Sequence, residues 1–104
     1  MGKYTLVVTS SAFEGQDDEY NNWYDNTHMA DILAIPGVTS GRRLQVLPIS
    51  PQTPPGNYLA IFEIDTEEPA EFLAEMGRRG ASGQMQITTA LDRQTANMWL
   101  YQVR

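Results

Sequence analysis

Apolar and polar residues along the chain follow two periods, one near two residues and one near 3.6. Lys3 to Thr9 is rich in Thr, Val and Leu and predicts a strand, followed by a turn-rich connection from Ser10 to Gly15. Asp17, Asp18 and Glu19 then open a helix, where negative charge complements the positive end of the helix dipole. Helical spacing runs from Tyr20 to about Ala34, and Pro36-Gly37 stops it, because the residue before proline is driven out of helical geometry. Val38 to Leu47 predicts a second strand. Ile49 to Asn57, with three prolines and one glycine, predicts a hairpin loop. Tyr58 to Asp65 is the clearest strand pattern. Thr66 and Pro69 open a second helix, with Phe72, Leu73 and Met76 as its buried stripe and Gly77 and Gly80 as its end. Met85 to Asp92 fits no single pattern, and Thr95 to Val103 closes the chain as a strand. The order strand, helix, strand, strand, helix, strand is that of a split βαβ unit: a ferredoxin-like α+β fold with two helices on one face of a four-stranded antiparallel sheet.

The strand patterns also bear on assembly. Tyr58, Ala60, Phe62 and Ile64 share one side of the third strand, and Leu59 and Ile61 the other. In the last strand, Trp99, Tyr101 and Val103 oppose Ala96, Met98 and Leu100. Both sheet faces are therefore apolar, yet two helices cover one. A second subunit packed sheet to sheet is the expected cover, because a monomer would expose a large apolar patch.

Composition narrows the function. A chain of 104 residues is one domain's worth, read here as a single domain over 1–104. Thirteen acidic residues against seven basic ones give a net charge of −6. With no basic cluster, neither nucleic acid nor an anionic membrane is an expected partner. No cysteine is present, which removes disulfides, thiolate catalysis and Cys-based metal sites. The apolar run at the N-terminus is too short for a signal-peptide core, and no stretch approaches the ~20 apolar residues that span a bilayer, so the cytoplasm is the expected location.

The first helix holds the chemistry. On α-helical spacing Tyr20, Tyr24, Thr27, His28 and Asp31 share a face, with Trp23 at its edge. Hydroxyls, an imidazole and a carboxylate on an inward face must each find a partner. His28, the chain's one histidine, exchanges a proton near neutral pH, and Asp31 three residues later is placed to orient its ring. Tyr24 and Tyr20 offer hydrogen bonds to a carbonyl or phenol. Trp23 and Phe62 offer aromatic walls, and either Arg42 or Arg43, on opposite strand faces, can look into the pocket. His28, Asp31 and Tyr24 are the catalytic candidates, with Tyr20, Trp23, Phe62 and Arg43 binding the ligand; no metal and no cofactor is expected. The same pattern also fits a structural histidine among core aromatics. Glu63 reads as structural or interfacial, and Arg78-Arg79 as a favourable pair at a helix C-terminus. Gly77, Gly80 and Gly83 lack the strand and lysine of a phosphate loop.

The block from Tyr20 to His28, then Asp31 to Val38 and Ser40 to Leu44, resembles the dimeric α/β-barrel superfamily near its EthD-like and stress-responsive A/B-barrel groups. The resemblance implies a homodimer whose sheets pack into a barrel. It also implies a cavity in each subunit, between sheet and helices, into which the histidine matching His28 points. Characterised relatives include cofactor-free monooxygenases, polyketide cyclases, dehydratases, lactone isomerases and haem-binding branches. With one histidine, two-histidine mechanisms do not carry over. The leading expectation is a cofactor-independent cyclase, lyase or isomerase acting on a small apolar or aromatic carbonyl compound through His28. The alternatives are a non-catalytic module that binds a ligand or stabilises a partner, and a cofactor-free monooxygenase or haem binder.

Overall fold

The computed structural model describes residues 2–49 and 51–104. Strands β1 (Lys3–Ala12), β2 (Val38–Gln45), β3 (Tyr58–Asp65) and β4 (Leu91–Gln102) form one antiparallel sheet in the order β2-β3-β1-β4. Between β1 and β2 lie helix α1 (Asp17–Trp23), a π-helical segment (Tyr24–His28) and helix α2 (Met29–Leu33); α3 (Pro69–Ala81) joins β3 to β4. The expected βαββαβ order is met.

Alternation in the two central strands builds the core. Leu6 pairs with Phe62, Val8 with Ala60 and Ser10 with Tyr58 on the face that the helices cover. Leu6, Phe62, Ile64, Tyr20 and Ile35 are almost wholly withdrawn from solvent. The other face carries Val7, Leu59, Ile61 and Leu44, together with Trp99, which is 42% exposed, and Tyr101, at 56%. No element of the described chain supplies a second helical layer there, so the apolar character read from the strands corresponds to an open face.

Several boundaries differ from the sequence reading. β1 runs on to Ala12 because, past an irregularity between Thr9 and Ser11, it still pairs with β4 at Asp92 and Leu91. For the same reason β4 starts at Leu91 and not Thr95. β2 ends at Gln45, two residues before Leu47, and Ser50 of the expected loop lies outside the described residues. Gly77 and Gly80 do not end α3. The helix continues to Ala81 and stops when Gly83 takes φ +82°, a conformation that glycine adopts without steric cost. Thr66 is not the cap: it sits two residues before the N-cap Glu68, whose N–H its hydroxyl accepts at 3.1 Å, and Pro69 opens the helix.

Gly41 sets the depth of the core beside β2. A Cβ built there would lie 2.6 Å from the ring of Phe62, its cross-strand partner. Gly41→Ala is therefore expected to overpack the core and destabilise by about 1–3 kcal/mol in a denaturant titration.

Candidate functional site

The first helix is not continuous. Over Tyr24–His28 the backbone widens to a π turn, closed by the Met29 N–H donating to the Tyr24 carbonyl five residues back. Residues five apart do not face each other on an α-helix, but here they do. The rings of Trp23 and His28 stack, with centroids 4.6 Å apart and planes inclined by 21°. The Tyr24 ring stands perpendicular to the same imidazole, with centroids 5.0 Å apart and planes at 88°.

His28 lines a cavity of about 330 Å³ between the helices and the sheet. Leu6, Val8 and Phe62 form its sheet side, with Met98 from β4; Leu73, Met76, Gly77 and Gly80 come from α3, and Met85 and Ile87 from the segment that follows. Ile32 completes the wall. Among these side chains, the imidazole is the one that carries a polar atom. Its Nδ1 is buried with no hydrogen-bond partner, which leaves Nε2 as the nitrogen available to a ligand. Burial lowers the His28 pKa from its ordinary value. The Asp31 carboxylate opposes that shift and the Arg43 guanidinium adds to it. The ring is neutral at pH 7.

The remaining candidates divide into two groups. Arg43, on the helix-facing side of β2, does not enter the cavity; Arg42 points to the open sheet face. The Arg43 guanidinium lies over the ring of Tyr24 at 4.3 Å, with Tyr58 and Tyr20 at 5.4 and 5.5 Å. It donates to Asp25 at 2.7 Å and to Asn21 at 2.8 Å, while its Nε is buried without a partner. Tyr20 is bonded to Ser10, and Tyr58 donates to Asp17 at 2.6 Å and accepts from Asn21 at 3.2 Å. Burial raises the pKa values of Tyr20 and Tyr24, so both stay protonated phenols at any physiological pH. This cluster is packed around its own cation, and of its members only Tyr24 touches His28.

Asp31 is brought into neither group. It looks into a neighbouring groove shared with Glu75 and Arg79, and it makes no hydrogen bond to the orphaned Nδ1. Trp23 is not part of the cavity wall; its indole N–H donates to the Gln86 carbonyl at 2.6 Å. Of the seven candidates, His28 and Phe62 line the cavity, and Tyr24 and Trp23 flank the imidazole. The sequence reading names none of Leu6, Val8, Ile32, Met85, Ile87 and Met98 as site residues, and it places Leu73 and Met76 in the buried stripe of α3 and Gly77 and Gly80 at its end. Methionine and glycine carry no chemical signature, so only the periodicity of α3 could have indicated that its inner face borders a space.

No family profile matches the sequence, and no curated protein does. Solved structures do match. A candidate monooxygenase from Shewanella loihica superposes with TM-score 0.66 at 18% identity, covering 100% of this chain and 97% of that one. The haem degrader MhuD from Mycobacterium tuberculosis, solved with two haems bound in its active site, gives 0.65 at 13% identity over 96% and 94%. An EthD family protein from Bacillus halodurans gives 0.61 at 15% identity, covering 96% of each chain. A DABB family protein with a ferredoxin-like fold, from Mesorhizobium loti, gives 0.63. The chain has the ferredoxin-like fold. The EthD-like and stress-responsive A/B-barrel resemblance read from the block around His28 is matched by these EthD and DABB family structures, at identities that establish the fold alone.

Two measurements test this geometry. The unfolded ring titrates near 6.5 and the folded one lower. The unfolded state therefore binds more protons between those values, and stability falls as acid is added through that window. Thermal melts from pH 7.5 to 5 are expected to show this loss, and His28→Gln to lack its share. Arg43→Met, by removing the cation from three ring faces and two acceptors, is expected to cost about 2 kcal/mol in chemical denaturation.

Proposed function

We propose that the protein binds a small, uncharged and largely apolar molecule, aromatic or carbonyl-bearing, in the cavity beside His28. On this reading the histidine performs acid–base chemistry on it without a cofactor, as a cyclase, lyase or isomerase would. The single observation that carries the reading is the neutral imidazole set alone in an apolar cavity of about 330 Å³. That volume is at the lower end for ligand sites. No lysine or arginine lines it, so a carboxylate there would lie against apolar walls with no cation to pair with. One hydrogen-bonding group on the ligand, placed at Nε2, satisfies the polar requirement of the site. The similar structures include a candidate monooxygenase and a protein with haem in its active site, which supports small-molecule chemistry on this fold. Haem carries two carboxylates, and the lining of this cavity offers them no cation, so the residues fit a smaller, neutral ligand better.

One observation favours a second reading, a ligand-binding module with no turnover. The acid–base arrangement wants a carboxylate on Nδ1, and Asp31 does not occupy that place.

We further propose a homodimer joined through the open sheet face, where Trp99 and Tyr101 stand half exposed among Val7, Leu59 and Ile61. Loss of that exposure on association supplies the apolar burial that a lone subunit forgoes. Light scattering over a dilution series is expected to give twice the chain mass at micromolar concentration. Trp99→Glu, which places a charge in the middle of the face, is expected to give the single-chain mass.

Binding is tested with 2-naphthol and 2-naphthoate, which share a ring system and differ in charge. Calorimetry is expected to show naphthol bound at least tenfold more tightly. His28→Ala is expected to weaken naphthol binding about fivefold, the value of one hydrogen bond near 1 kcal/mol, while leaving naphthoate unchanged. Equal affinity for the two probes refutes the neutral-ligand reading. If a substrate is turned over with His28 as base, the rate falls with acid through a pKa below 6.5, because protonation removes the base.

A further inference from the structure

The wall of the cavity formed by the chain between α3 and β4 is held differently from the rest. Met85 is 8% exposed and lines the cavity with Ile87. The segment belongs to no helix or strand. Among the described residues, the backbone groups of 83–87 make two hydrogen bonds. One is local, Gln84 N–H to the Ser82 hydroxyl at 3.3 Å. The other is the Gln86 carbonyl accepting from the Trp23 indole at 2.6 Å. One side chain, from α1, thus supplies the hydrogen bond that fastens the segment to another element of the fold. At its start, Gly83 has φ +82° with nothing within 4 Å of a built Cβ, so its backbone conformation, not crowding, requires glycine. Beyond it, order resumes where the Phe13 N–H donates to the Ala90 carbonyl at 2.8 Å.

We infer that segment 83–87 is a movable wall of the cavity, pivoting at Gly83, and that Trp23 is the positioning residue that ties its closure to the setting of His28. The indole holds the segment through its N–H and covers the imidazole with its face. Swinging the segment outward breaks the Trp23–Gln86 bond, withdraws Met85 and Ile87 from a cavity that is already partly open, and widens the access of water to His28. The entrance and the reactive group are then set by the same ring. The groups that act on the imidazole electrostatically are Asp31 on its own helix and Arg43 on β2, with the Tyr24 phenol beside it. α3, segment 83–87 and β4 present only apolar side chains or glycine to the cavity. Hydration is therefore the variable that opening changes.

The inference rests on the cavity as the functional site, but its test needs no ligand, so the two can fail separately. The chain has one histidine, and its Cε1–H resonance can be followed without ambiguity in a proton NMR titration. Trp23→Phe keeps an aromatic ring and deletes the N–H. It is expected to speed amide exchange at residues 84–87 at least tenfold and to move the His28 midpoint up toward 6.5. Gly83→Ala leaves Trp23 intact and disfavours the closed backbone. It is expected to move both readouts in the same direction. Unchanged exchange in both variants overturns the movable wall, and faster exchange with an unmoved His28 midpoint overturns the coupling. Should Trp23→Phe fail to fold, Gly83→Ala alone carries both tests.

Discussion

A guanidinium withdrawn from water has to find anions, ring faces or both, and Arg43 finds both. Its side chain is 13% exposed, and it lies among Tyr20, Tyr24 and Tyr58 with Asn21 and Asp25 at its amino groups. Those partners come from β3, α1 and the π turn, so one cation on β2 joins an edge strand to the helix that carries the candidate site. Asp25 is 60% exposed and adds little through charge alone. The rings matter more, because a planar guanidinium can stack on several at once and a lysine cannot. Three tyrosines, an amide and a carboxylate would otherwise resemble a receptor for an external cation. Here the chain fills it from within.

The π turn follows from that packing. Tyr24 must reach Arg43 with its ring face while standing perpendicular to the His28 ring. The extra residue in the turn brings Trp23 and His28 onto the same side. Such a turn forgoes regular helical hydrogen bonding, and it persists because tertiary contacts determine it from several directions. Helix-poor residues at Asn21, Asn22, Asp25 and Asn26 lower the resistance to it.

The strands were legible because alternation survives burial on both faces, and the open apolar face is visible in the spacing of Leu59, Ile61, Trp99 and Tyr101 alone. Element ends were less so. Leu91 to Gln94 joins β4 only because Ser11 and Ala12 extend β1, a long-range pairing that leaves no local pattern. In the site, the inward face of His28 could be read from spacing. The direction of Asp31 could not: three residues along a helix is about 60° around it, enough to move a side chain from one groove to the next. The role of Trp23 depended on Gln86, more than sixty positions away, and a backbone carbonyl has no sequence signature.

The tautomer of His28 separates the two functional readings. A proton on Nδ1 would be a buried donor with no acceptor, a costlier orphan than a lone pair in the same place. The resting ring therefore carries its hydrogen on Nε2 and offers a ligand oxygen a donor. That suffices to bind and polarise a carbonyl. To abstract a proton at the same nitrogen, the hydrogen must first move to Nδ1, where leaving it unpaired costs about 1–3 kcal/mol. A carboxylate or water at Nδ1 would lift that cost, and Asp31, one turn away, faces another groove at rest. Binding and catalysis thus make the same demand on the cavity and opposite demands on one nitrogen, so Nδ1, and not the shape of the pocket, decides which of them the protein performs.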